Sequence, residues 1–313
     1  MNETKKLTQG AMLLAIIGAL ILIDRMSAFL FTELLVLLMP VVIIMYSAMH
    51  EVKDGLVLSV GLIILSFLLG NFNFTYMIYV PVGILTGIVY SLGLKRGLDK
   101  RSLLFLAILV YVAGEIIATF VIYPLLGFPL SKMIEEYKLA TNQVNLISGM
   151  NLESIYKSMG FDFSKVIVVS YILATIFVGV MEGVLIHLLA VLLLKKFKIK
   201  DLGNINIFDM KPNKYVAYIC MLCLFLTFFI KDIKNEALYY ICITLIILSA
   251  MVLAYYGYLF VVLYGIIVLK RNIGSFFVLL SFVIPVLLAL LVVLGFLYGA
   301  GPLRTYLEKK MGR

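Results

Sequence analysis

Residues 7–23 read LTQGAMLLAIIGALILI, an uninterrupted apolar run between a polar head (Asn2, Glu3, Thr4, Lys5, Lys6) and the pair Asp24-Arg25. Within it Ala11, Ala15 and Ala19 recur every fourth residue. At 3.6 residues per turn the three methyls share one helix face, where a second helix could approach closely. Small residues are also common in ordinary membrane helices, so this face reads either as a docking surface for a partner helix or as unremarkable packing. The run is too long for a signal peptide and lacks a small-residue cleavage site, so it reads as a retained helix.

Composition sets the class. Hydrophobic residues make up 64% of the 313 and charged residues 14%, with a mean hydropathy of +1.13. Soluble domains carry about 25% charged residues. The chain therefore reads as an all-helical, polytopic integral membrane protein, since the apolar runs are long and lack the alternation of barrel strands. The formal charge of +9 is what basic loops of a membrane protein produce. No basic helix or aromatic-basic interleaving points to nucleic acid. Cys220, Cys223 and Cys242 all lie in apolar runs, which implies no disulfide framework.

Further runs follow at about Phe29–Met49 (with Pro40 inside, where a kink or break is expected), Gly55–Gly70, Tyr76–Leu94, Ser102–Leu126 and Val166–Leu194. Between the fifth and sixth, residues 127–165 change character. Leu130, Ile134, Tyr137, Thr141, Val144 and Ile147 fall at helical spacing opposite Glu135, Glu136, Lys138 and Asn142, which predicts an amphipathic helix on or over the membrane part. Asn151 is the expected N-cap of a second short helix that ends at Gly160. We take residues 1–200 as a six-span membrane domain and 201–313 as a C-terminal membrane extension. In the extension, Tyr215–Ile230 and Ser275–Leu297 read as spans. The long apolar stretch Ala237–Leu269 is either one tilted helix or two shorter ones broken at Tyr255-Tyr-Gly-Tyr258. The first option, giving nine crossings, is preferred.

The distribution of Lys and Arg orients the chain. With the N-terminus inside, the inner segments to Lys214 hold thirteen basic residues and the outer segments five. The positive-inside rule then predicts a multi-pass cell-membrane protein with a cytoplasmic N-terminus and a cytoplasmic 195–214 loop.

Ionisable groups inside membrane runs are costly and mark functional sites by default. Glu115 lies within the fifth span, and Glu182 and His187 lie five residues apart in the sixth, too far round the helix to share a tight ligand face. Buried protonated carboxyls and an interfacial histidine are the competing readings. At the outer rim Asp24, Arg25 and Glu33 flank the first loop, Asn71, Asn73, Tyr76 and Tyr79 the second, and Tyr123 begins the third. Together with Glu115 these are the expected substrate-binding residues of an outward-facing pocket. An aromatic belt would explain the tyrosines alone.

Other chemistry finds little support. Two histidines, His50 and His187, without HExxH or a dense ligand cluster argue against a metal enzyme. Cys220-x-x-Cys223 sits mid-span, where cysteine behaves as a small hydrophobe. No nucleophile elbow or nucleotide cradle is present, so any ATP used would be bound by another chain. We expect no catalytic activity, no cofactor and no metal. Gly83-x-x-x-Gly87, Gly179-x-x-x-Gly183 and Gly295-x-x-x-Gly299 are spacings suited to close helix packing.

The lysine-rich start, the Leu7-Thr8 entry, the alanines at 11, 15 and 19, and six spans ending in the basic loop at 195–200 resemble the S components of energy-coupling-factor (ECF) transporters. Over its whole length, with further spans after residue 200 and a tail containing Leu303-Arg304, the chain is similar to the YybS-like bacterial membrane proteins, whose N-terminal part itself resembles S components. The resemblance implies a six-helix bundle that captures a small molecule such as a vitamin from outside. It also implies docking through Ala11, Ala15 and Ala19 to a transmembrane coupling subunit that carries two ATPases. Two other readings stay open: a non-transporting scaffold or regulator, and an intramembrane enzyme in which Glu115, Glu182 and His187 converge.

Overall fold

A computed structural model describes residues 3–148, 152–158, 160–203, 212–233, 235–270 and 285–310, and every regular element among them is helical. Among the described residues, seven helices are long and apolar enough to cross a bilayer: α1 (Glu3–Met26), α2 (Thr32–Met49), α3 (Val52–Leu69), α4 (Phe74–Lys95), the span Lys100–Leu125, α9 (Phe163–Lys196) and α11 (Glu236–Ile267). The span Lys100–Leu125 comprises α5 (Lys100–Ile117), a π-turn at Ala118–Ile122 and the short α6 (Tyr123–Leu125). The amphipathic stretch forms α7 (Leu130–Ser148), followed by α8 (Leu152–Ser158). The cap expected at Asn151 lies outside the described residues.

The last third departs in part from the nine-span reading. Ala237–Leu269 is indeed a single helix, α11, unbroken at Tyr255–Tyr258. The stretch read as a seventh span is α10 (Lys214–Phe225), twelve residues of α-helix that give way to 3-10 turns at Leu226–Phe228 and Ile230–Asp232. At 1.5 Å per residue α10 covers only about 18 Å, too little to cross upright. Beyond it, α12 (Pro285–Ala300) meets α13 (Pro302–Lys310) at a 73° bend, so eight spans are reached among the described residues if that pair counts as one. The first part of the Ser275–Leu297 run lies outside the described residues.

The chain divides into two compact units, Met1–Glu135 with Ala174–Asn204, and Glu136–Leu173 with Ile205–Arg313. The division differs from a boundary at residue 200 because 136–173 packs with the C-terminal part. In the second unit Val166, Val169 and Leu173 share a core with Ile230, Tyr239, Cys242, Ile243 and Ile246. The Tyr239 hydroxyl accepts from the Asp162 backbone N–H at 2.6 Å, and Lys165 pairs with Glu236 at 2.9 Å. Glycine lets α11 and α12 meet: a Cβ on Gly257 or Gly295 would strike the backbone carbonyl of Leu291 or Leu253. Cys220 is buried beside Ala217 and Leu253 and is a free thiol, as is Cys223.

In the first unit the helices also close on small residues. Gly83 and Gly87 of α4 lie against Pro40 and Ile43 of α2, and α2 continues as one helix through Pro40. The α1–α2 turn is held by Asp24, which is 1% exposed and accepts from the Phe31 N–H (2.7 Å), the Thr32 hydroxyl (2.6 Å) and the Tyr76 hydroxyl (2.7 Å). At the other end of α1, Lys6 bonds Asp54 at 3.1 Å and the Tyr46 hydroxyl donates to Lys6 O at 3.0 Å. Asp99 caps α5, accepting from the hydroxyl and backbone N–H of Ser102, and the hydroxyl bond above all holds its carboxyl below the usual carboxylate range. A depressed carboxylate stabilises the fold fully above its unfolded value, and that contribution is lost as pH falls through the folded one.

Asn71 and Asn73 serve the α3–α4 turn. Asn71 and Phe72 adopt left-handed φ of 52° and 54°, a conformation asparagine tolerates. Asn73 is the N-cap of α4 and accepts from the Thr75 N–H at 2.8 Å. Asn73→Ala is therefore expected to cost about 1 kcal/mol, measured as a lower unfolding midpoint in detergent.

Candidate ligand site

Glu115 and Glu182 come from different helices, and glycine brings them together. A Cβ on Gly183 of α9 would lie 2.6 Å from Ile108 Cα, and one on Gly179 would lie 2.8 Å from Val112 Cα and 3.1 Å from Glu115 Cγ. The bare face of α9 thus rests on the backbone of α5, one to two turns before Glu115. Glu182, beside Gly183, lies against Glu115 in that seam, close enough for the two carboxyls to interact directly.

Tyrosines surround the pair. The Tyr79 hydroxyl of α4 donates to Glu115 Oε2 at 3.3 Å and also meets the Tyr123 hydroxyl. Tyr111, one turn before Glu115 on α5, is fully buried, and its hydroxyl has no hydrogen-bond partner. It lies within electrostatic range of Glu182, Glu115 and Glu33. One oxygen of Glu182, Oε2, is likewise buried and unpartnered. Glu33, exposed in the first turn of α2, is within range of both carboxyls. The π-turn at Ala118–Ile122 directly follows this cluster, and such turns are rare and frequent at functional sites.

Of the residues read as substrate-binding, Glu33, Tyr79, Glu115 and Tyr123 converge here, and Glu182 joins them. Asp24 and Tyr76 do not, because their side chains are spent on each other and on the α1–α2 turn. Arg25 is exposed at the end of α1, and Asn71 and Asn73 form the neighbouring turn. His187 is packed inside the protein. It is 1% exposed, with Nδ1 2.9 Å from the Tyr90 hydroxyl and Nε2 buried without a partner. Its position five residues beyond Glu182 turns it to another side of α9. Tyr111 was missed, although its i, i+4 spacing from Glu115 places the two on one face. Tyr90 carried no comparable signal.

Among the described residues, none of the three glutamates pairs with lysine or arginine, and no group of three His, Cys, Asp or Glu is placed to hold a metal ion. The arrangement can hold protons, donate and accept hydrogen bonds, and present negative charge beside aromatic faces.

A second feature lies on the outside of α1. Ala11, Ala15 and Ala19 are exposed along an apolar groove between α1 and α3, with a cavity volume of about 590 Å³. Gly18 and Gly61 form its floor, where α1 and α3 touch through Leu69 and Leu14.

The profile of the predicted membrane protein family DUF2232 matches residues 13–297. The chain belongs to that family. The match runs through both compact units, so the DUF2232 unit includes the C-terminal helices as well as the six-span part. No curated protein and no solved structure matches the chain.

Proposed function

We propose that this DUF2232 protein is a substrate-capturing membrane component, similar in working to an ECF S component, that takes a small molecule at the Glu115–Glu182 cluster. The observation that carries the reading is the meeting of three carboxyl groups and three tyrosines among membrane helices, with the Tyr111 hydroxyl and Glu182 Oε2 left unpartnered. Polar groups at such depth are costly, and a ligand that completes their hydrogen bonds offsets that cost. With the N-terminus cytoplasmic, the start of α2, the start of α4 and Tyr123 all face outwards, so Glu115 falls in the outer half of its span. No catalytic role is proposed for Glu115, Glu182 or His187, since the histidine bonds Tyr90 instead of the carboxyl pair.

Energy then has to come from elsewhere. The groove along Ala11, Ala15 and Ala19 lies on the apolar stretch of α1, so its occupant is a transmembrane helix. We assign it to a coupling subunit that carries the ATPases. Close approach of backbones over small residues supplies the van der Waals contact that drives helix association in lipid.

The test is purification of the tagged protein in mild detergent at native expression, with its partners identified by mass spectrometry. Recovery of a membrane subunit together with ATPases is expected. Ala15→Leu, which fills the exposed groove with a larger side chain, is expected to abolish that recovery while leaving the unfolding midpoint of the protein unchanged. Recovery of the protein alone would favour a non-transporting scaffold.

A further inference from the structure

We propose that the ligand of the Glu33–Glu115–Glu182 cluster is an organic cation, an ammonium group on a hydrocarbon or aromatic body. The inference rests on the capture reading and names the substrate class of that site. Its first support is charge. Three carboxyl groups from α2, α5 and α9 gather within electrostatic range of one another, and among the described residues no lysine or arginine pairs with any of them. The second, independent support is Tyr111, whose fully buried hydroxyl is unpartnered while its nearest charged neighbours are those same carboxyls.

The shape of the cluster selects the kind of cation. The carboxyls are not close enough as a set to ligate a metal ion, which needs several oxygens within about 2.6 Å. They are spread instead from exposed Glu33 past the partly exposed Tyr79 and Tyr123 to buried Glu115 and Tyr111. The proposed ligand would set its charge at the Glu115–Glu182 pair and its body against the tyrosines. Tyrosine faces favour ammonium groups through their quadrupole, and their hydroxyls serve the polar rim.

The test uses the full-length protein purified in detergent. Choline and butylammonium are titrated against their uncharged counterparts, 3,3-dimethyl-1-butanol and 1-butanol, with sodium chloride matching ionic strength and the unfolding midpoint as readout. The two ammonium probes are expected to raise the midpoint saturably, and the alcohols and sodium chloride are not. Glu115→Gln and Glu182→Gln should each raise the half-saturating concentration by about tenfold, as loss of one charged hydrogen bond does. Tyr111→Phe, which removes only a hydroxyl, guards against misfolding of the glutamate variants and should weaken binding by less. Alcohols as effective as ammonium probes, an effect reproduced by sodium chloride, the absence of any shift, or unaltered binding in both glutamate variants would each overturn the cation assignment. A parallel incubation with the small-molecule fraction of a cell extract separates this inference from the capture reading. Retention of neutral or anionic compounds that is lost in Tyr79→Phe would remove the cation and keep the capture; retention of nothing would remove both.

Discussion

Asp24→Ala is expected to lower the stability of the first unit by about 3–5 kcal/mol, the range for leaving several buried donors without an ionic acceptor. The carboxylate accepts three hydrogen bonds of 2.6–2.7 Å in a site that is 1% exposed. Alanine would strand the Thr32 and Tyr76 hydroxyls and the Phe31 N–H together. It would also release the turn, where Ala28 and Phe29 hold left-handed φ of 54° and 64°. Those conformations cost about 1 kcal/mol or more each in residues with a Cβ, and the Asp24 bonds offset them. Asp24→Asn keeps one acceptor oxygen and should lose roughly half as much. Unfolding midpoints of the purified variants in one detergent would check this. An Asp24→Ala protein as stable as the parent would show that water or lipid headgroups satisfy the stranded donors.

Gly183→Val is expected to be comparably severe, at about 3 kcal/mol or more. The Cβ at position 183 would lie 2.6 Å from Ile108 Cα and 2.8 Å from Ile108 N. A backbone obstacle has no rotamer to yield, so α9 and α5 must separate. At Gly61 the obstacle is the tip of the Leu14 side chain, at 2.7 Å, and Gly61→Ala should cost much less. The two differ in a second readout as well. Separation of α9 from α5 parts Glu182 from Glu115, so Gly183→Val should lose ammonium binding in whatever fraction remains folded, whereas Gly61→Ala should keep it.

The helices were legible because apolar length is a strong signal. Six runs up to Leu194 became six spans, and Leu130–Ile147 became α7 from its spacing alone. The end of α10 was not legible. Residues 226–230 are as apolar as those before them, but the turn to 3-10 geometry there is tied to tertiary packing, with Ile230 fully buried in the core around Tyr239. At the site, Glu115 and Glu182 could each be picked out because charge is rare in membrane runs, yet their meeting was legible only as one of several open readings. The pairing of Glu115 with Glu182 depends on which face of α9 meets α5. Gly179 and Gly183 indicated a close contact without indicating the partner. Asp24 and Tyr76 were equally conspicuous as polar groups near a rim, and nothing in the local pattern distinguished a carboxylate that closes a turn from one left for a ligand.

The glycine seam between α11 and α12 is backbone against backbone, with Gly257 at Leu291 and Gly295 at Leu253. No side chain there has conformational freedom to lose when the helices join, so their association carries little ordering cost at these points. At those two points the contact has no torsions through which to loosen, while side chains beside them, Phe260 against Tyr298 among them, keep their own. The glycine contacts act as a rivet, where the α5–α9 contact, with its carboxyl pair, acts as a latch.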